Sequence, residues 1–107
     1  KGVLLMQSSG VGNCVNALAL PQICKVPFLT IVSMRGEWGE FIPWQVPMGQ
    51  ATPSVFEAMN VKVFRADRKD EVGATVDAAA HFSFNTRQSS AVLLSQKMIG
   101  AKQFKEG

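Results

Sequence analysis

The chain is poor in the residues that build metal centres. Its 107 residues include two cysteines, Cys14 and Cys24, and a single histidine, His81. No C-x-x-C pair and no histidine cluster occurs, which argues against zinc and for reduced thiols in a cytoplasmic protein. No signal peptide is legible, because the short apolar run after Lys1 ends in polar residues. Nor does any apolar run approach the roughly eighteen residues of a membrane helix, so no membrane partner is expected. Charge is sparse as well. Only 18% of residues are charged, 11 basic against 8 acidic, for a formal +3. Part of the excess lies near the C-terminus in Lys97, Lys102 and Lys105. No basic stripe interleaved with aromatics is present, which excludes nucleic acid as the expected partner. Internal repeats and low-complexity segments are also missing.

What is there suits one globular domain over residues 1–107, since 47% of the chain is hydrophobic. The runs "GVLLM" (2–6), "FLTIV" (28–32), "VKVFRA" (61–66) and "AVLLS" (91–95) are short, rich in branched residues and bounded by turn formers, as strands are. The first is apolar throughout and reads as a strand buried on both faces. Because such a strand seldom opens a domain, a preceding segment is expected. Residues 12–20 place Cys14, Val15, Leu18 and Ala19 on one helical face. Thr52 and Pro53 have the form of an N-cap and a first-turn proline for a helix through Met59. Asp70 can cap a third helix, whose small face is Val72, Val76, Ala79, Ala80 and Ser83. The order β-α-β-loop-α-β-α-β implies parallel strands joined by right-handed crossovers, an α/β fold with helices flanking a parallel sheet.

Two segments carry the candidate chemistry. The corner "QSSGVGNCV" (7–15) contains G-x-G, yet Val15 stands where a dinucleotide fingerprint has its third small residue. Ser33 and Met34 stand where that fingerprint wants an acid. No G-K-[ST] follows, so a P-loop fails too. A structural turn would account for Gly10 and Gly12, but not for the polar set Gln7, Ser8, Ser9, Asn13 and Asn16. The second segment is the loop 33–50, "SMRGEWGEFIPWQVPMGQ", long for a compact domain and following a strand's C-terminal end, where open parallel sheets bind ligands. Within it Arg35 can grip an anion with paired hydrogen bonds, and Gly36 beside it permits close approach. The competing reading is a surface pair of Arg35 with Glu37 or Glu40. His81 sits mid-helix beside Phe82 and Phe84, with Asp77 four residues earlier as a surface partner, and reads as structural rather than catalytic. Ser8 and Ser9 have no triad context.

"LLMQSSGVGNCVNAL", "PFLTIVSMRGEWGEFIPWQVPMGQAT" and "AVLLSQKMIGAK" resemble the alpha subunits of the sulfopyruvate decarboxylases and, less closely, the phosphonopyruvate decarboxylases. Both belong to the thiamine-diphosphate-dependent decarboxylases. The resemblance implies a pyrimidine-binding domain of three layers, lacking its first β-α segment. It implies a thiamine diphosphate cofactor shared with a pyrophosphate-binding beta subunit or domain, which would carry the Mg2+ ligands. It also implies a hetero- or homo-oligomer acting on a small anionic 2-oxo acid, 3-sulfopyruvate or 3-phosphonopyruvate. Gln7, Ser8, Ser9, Gly10, Gly12 and Asn13 match the turn beside the cofactor's pyrimidine. Arg35 and Gly36 match an R-G pair shared by both branches, with Arg35 as anchor for the second acid group. The family's catalytic glutamate is expected upstream of "GVLLM", so this chain would hold no catalytic residue and be inactive alone. "LPQICKVPF" departs from the longer connection of the family. The alternative is a non-catalytic α/β module binding an anion or a protein through the 33–50 loop. A flavin carrier fits less well, as no aromatics flank the glycine corner.

Overall fold

The computed structural model describes residues 2–37 and 45–99. Four strands, β1 (Val3–Gln7), β2 (Phe28–Ser33), β3 (Lys62–Ala66) and β4 (Ser89–Leu94), form one sheet in the order β1-β2-β4-β3. Every neighbouring pair is parallel. The register runs from Val3↔Leu29 to Gln7↔Ser33, and from Phe28↔Ser89 to Ser33↔Leu94, so all four strands end on one edge. The expected α/β fold is therefore observed, with each strand within two residues of its expected bounds.

Helices cover both faces. On one, α1 (Ser8–Val11), α2 (Ala19–Cys24) and α3 (Gln45–Ala58) accompany a cluster of Val11, Leu18, Val32, Met34, Phe56, Val61, Ala91 and Leu93. On the other, α4 (Val72–Thr86) covers Leu29 and Val92 through Ala79, with Val76, Ala80 and Phe84 packed around them. The small face of α4 is as expected, and its reason is visible. Ser83 Oγ donates to the Phe28 carbonyl at 3.0 Å, and Ser90 Oγ donates to the Ala79 carbonyl at 3.2 Å. Small side chains let helix and sheet approach closely enough for these bonds. A short helix, α5 (Gln96–Ile99), follows β4.

Five expectations need correction. The strand β1 is not buried on both faces: Val3, Leu4 and Leu5 are exposed, Leu5 to 71%. Among the described residues it lies at the sheet's edge with β2 as its one neighbour, and α4 packs over the centre of the sheet instead. The helix expected from residue 12 starts at Ser8, and proceeds through two 3-10 turns (Gly12–Cys14 and Asn16–Leu18) into α2. Thr52 is not an N-cap. Its hydroxyl donates to the Met48 carbonyl at 2.7 Å, one turn back within α3, and Pro53 lies inside the helix. The last residues of the supposed 33–50 loop thus belong to α3, while 38–44, with Trp38, Glu40 and Trp44, lie outside the described residues. Pro47 is tolerated because first-turn N–H groups lack a helical acceptor anyway. Nor does Asp70 cap α4. The entry is tied by Glu71, whose Oε1 accepts the backbone N–H of Asp67 (2.8 Å) and Arg68 (3.2 Å).

Candidate functional site

The polar segments singled out in sequence converge on the edge where the strands end. Gln7 closes β1 and Ser8 opens α1 directly, without an intervening loop. Gly12 is an ordinary right-handed residue, φ −61° and ψ −29°, so the glycine corner is not a left-handed phosphate loop. Gln7, Gly12 and Asn13 are exposed there, whereas Ser8 is fully buried. Ser9 Oγ donates to Gln7 Oε1 at 2.9 Å and orients that amide. Gly10 is partly buried beneath them, a Cβ there lying 3.9 Å from that of Met6.

Ser8 joins the two candidate segments. Its hydroxyl accepts the backbone N–H of Arg35 at 3.0 Å. Arg35 itself is only 6% exposed, so it is not a surface side chain. Gly36 next to it has φ 73°, the left-handed conformation that glycine adopts without strain. Gly49 of α3 lies against the same two residues: a Cβ there would fall 1.7 Å from the Arg35 carbonyl oxygen. No side chain fits at that point, and the helix backbone walls the segment.

Three residues not selected from sequence complete the edge. Glu37 N–H donates to Gln96 Oε1 at 2.8 Å, and Gln96 N–H donates back to Glu37 Oε1 at 3.1 Å. Arg65 Nη2 reaches Glu37 Oε2 at 2.8 Å, and its Nε bonds Asp67 Oδ1 at 2.9 Å. Burial pulls the Arg65 guanidinium down, but the hydrogen bonds from Asp67 and Glu37 outweigh it and hold the group above its ordinary value. Their common signal in sequence is position: Arg65 near the end of β3, Glu37 and Gln96 just past β2 and β4, at the edge where parallel sheets carry ligands.

Other candidates separate from this edge. His81 is exposed on α4, its Nδ1 2.9 Å from the Asp77 carbonyl and 3.7 Å from the Asp77 carboxylate. Cys14 and Cys24 are free thiols. A cleft of about 340 Å³ lined by Gln22, Lys25, Asn60, Arg87 and Ser89 opens at the opposite edge. There Lys25 and Arg87 cap the C-termini of α2 and α4 in left-handed conformations, where cations complement the helix dipole. Among the described residues no group of three His, Cys, Asp or Glu side chains could hold a metal ion, and no helix is long and apolar enough to cross a membrane.

A parallel sheet between helical layers, with a polar helix start and a buried arginine at its C-terminal edge, defines a three-layer α/β domain consistent with the pyrimidine-binding fold of thiamine-diphosphate enzymes. No family model matches the chain. The chain is similar to sulfopyruvate decarboxylase subunit alpha of Methanococcus maripaludis, 39% identical over 95 residues, 88% of this chain and 57% of the relative. It is 41% identical over 93 residues to the same subunit of Methanothermobacter thermautotrophicus, 85% of this chain and 56% of that one. A sulfopyruvate decarboxylase of Methanosarcina acetivorans is 45% identical over 58 residues, 53% of this chain and 15% of that protein. These relatives support the resemblance carried by the motifs. The chain spans little more than half the length of the alpha subunits it matches.

Proposed function

We propose that this chain forms the pyrimidine-side part of a thiamine-diphosphate-dependent decarboxylase of 3-sulfopyruvate, with 3-phosphonopyruvate as the alternative substrate. The observation that carries the reading is the burial of Arg35 beside the polar start of α1, in a chain 39% identical to a sulfopyruvate decarboxylase alpha subunit. Gln7, Gly12 and Asn13 offer an exposed polar surface to the cofactor's pyrimidine, and Ser8, Ser9 and Gly10 support it from behind. When bound, thiamine diphosphate supplies the electron sink that loss of carbon dioxide from a 2-oxo acid requires. Arg35 grips the sulfonate or phosphonate, with Gly36 beside it leaving room for the approach. A charge-assisted grip of this kind is strong only where water is excluded, and Arg35 is in such a place.

The diphosphate and Mg2+ fall to a partner subunit or domain, which also supplies what this chain's edge lacks. Two features favour such a partner. The apolar side chains of β1 are uncovered, and the Methanosarcina relative, of which the match is 15%, carries the decarboxylase name without a subunit label. The catalytic glutamate is likewise proposed outside these residues.

The test uses the full-length chain assembled with its partner. Thiamine diphosphate with Mg2+ should raise the Tm of the assembly by mass action. R35A should raise KM for sulfopyruvate at least about tenfold, the loss expected for a hydrogen bond to a charged group. R35K should fall short of full rescue, because an ammonium cannot make the paired bonds. Unchanged kinetics in R35A would remove the anchor, and an assembly indifferent to the cofactor would favour the non-catalytic module instead.

A further inference from the structure

We infer that Glu37, Gln96 and Arg65 form a latch that positions Arg35, an inference that rests on the substrate-anchor reading above. The sheet ladder ends at Ser33↔Leu94, so strand pairing does not fix residues 35–37. Polar bonds from each of the other three strand ends do so. Arg35 N–H is tied at 3.0 Å to Ser8, which follows β1. Leu94, the last residue of β4, accepts the Met34 N–H at 3.0 Å, and just beyond it Gln96 exchanges two backbone–side-chain bonds with Glu37, at 2.8 and 3.1 Å. From β3, Arg65 holds the second Glu37 oxygen at 2.8 Å and is itself oriented by Asp67.

The two oxygens of Glu37 thus serve different strands, Oε1 the continuation of β4 and Oε2 β3 itself. Arg35 lies between a tie at its own N–H and this double tie two residues later, with the flexible Gly36 in between. Gly36 has φ 73° and by itself would leave the direction of the segment loosely defined. An exposed ion pair would do little to hold it. This one is part of a network that includes Gln96, only 1% exposed, and networks of directional bonds around a buried member fix geometry. The direction of the Arg35 side chain follows from its backbone, so loosening Glu37 misaims the anchor. Glu37, Arg65 and Gln96 are therefore positioning residues, acting through Arg35.

The experiment compares R65A, R65K and E37Q with the parent chain in the full-length assembly, reading steady-state kinetics on sulfopyruvate and amide hydrogen exchange at 34–37 and 95–96. R65A should raise KM about fivefold or more with kcat within about twofold, the pattern of a displaced binding group. Exchange at the Glu37 and Gln96 amides should quicken in the same variant. E37Q keeps the Oε1 acceptor and the side-chain shape but loses the ion pair, and should show a smaller change of the same sign. R65K should restore part of the KM. Unchanged exchange in R65A, or faster exchange with unchanged KM, would overturn the latch. A loss of kcat equal to the KM effect would also overturn it, by showing general damage. If the parent assembly decarboxylates neither acidic pyruvate, the decarboxylase reading falls and takes the anchor role of the latch with it. An active parent with unaltered R65A removes the latch alone.

Discussion

Strand β1 reads VLLMQ and strand β4 reads SSAVLL, and their burial is the reverse of what their first residues suggest. Val3, Leu4 and Leu5 of β1 are exposed, while Ser89, Ser90 and Ala91 of β4 are buried. The difference lies in the sheet order. The strand β4 has a neighbour on either side and α4 across its face, whereas β1 is, among the described residues, an edge with one neighbour. Ser90 is admissible in the interior because it bonds the Ala79 carbonyl and meets the Ser83 hydroxyl, whereas the Ser89 hydroxyl is buried without a hydrogen-bond partner. The leucines of β1 gain little from burial here. Leu20, Ile23 and Val26 are exposed as well.

The largest effect is expected where two backbones meet. A methyl group at Gly49 falls 1.7 Å from the Arg35 carbonyl oxygen, and backbone on both sides cannot yield. G49A should destabilise the fold by about 3 kcal/mol or more, at the upper end of overpacking, read by chemical denaturation. It should also weaken substrate binding, since Arg35 must shift with its carbonyl. A stable G49A with normal kinetics would show that α3 does not bear on the anchor.

Next comes the pair that tests the comparison itself. Leu93 of β4 is fully buried, and L93A should cost about 2–5 kcal/mol in transfer and cavity terms. Leu5 of β1 is 71% exposed, and L5A should stay within about 0.5 kcal/mol. The two measurements belong side by side, on the chain alone and on the assembly. Equal losses in the assembly only would mean that a partner covers β1. Equal losses in the chain alone would contradict the edge position.

How much of this was legible in the sequence follows from the range of each interaction. The four strands were, because branched apolar runs between turn formers are local signals. The parallel order followed from the helices between them. The start of α1 at Ser8 was not legible, since Ser8, Ser9 and Gly10 favour turns in isolation and are helical here because Ser8 and Val11 pack inward. The first half of α3 was hidden by Pro47, Gly49 and Pro53, each a helix breaker by propensity. Gly49 is needed for its contact with Arg35, a tertiary reason that no window of sequence contains. Arg35 and Ser8 could be selected one at a time, but not their bond across 27 positions. Glu37, Arg65 and Gln96 are the extreme case. Each is an ordinary polar residue after or near the end of a strand, and only the register of the sheet brings them together.

The smallest change tests the polar interior of β4. Ser90 Oγ donates to the Ala79 carbonyl at 3.2 Å and stands against Ser83 Oγ, which donates to the Phe28 carbonyl at 3.0 Å. S90A removes one donor and leaves the Ala79 carbonyl its helical partner, so the desolvation loss is confined to one bond. About 1 kcal/mol is expected, below the L93A loss and above that of L5A. S90V keeps the strand propensity but adds volume against Ala79, which is fully buried, and should cost more than S90A. If S90V proves neutral, α4 can draw away from the sheet, and close approach is not what requires small residues on both surfaces. If it costs more, Ser90 is there for its size as much as its hydroxyl, and a leucine of β1 could not have stood in its place.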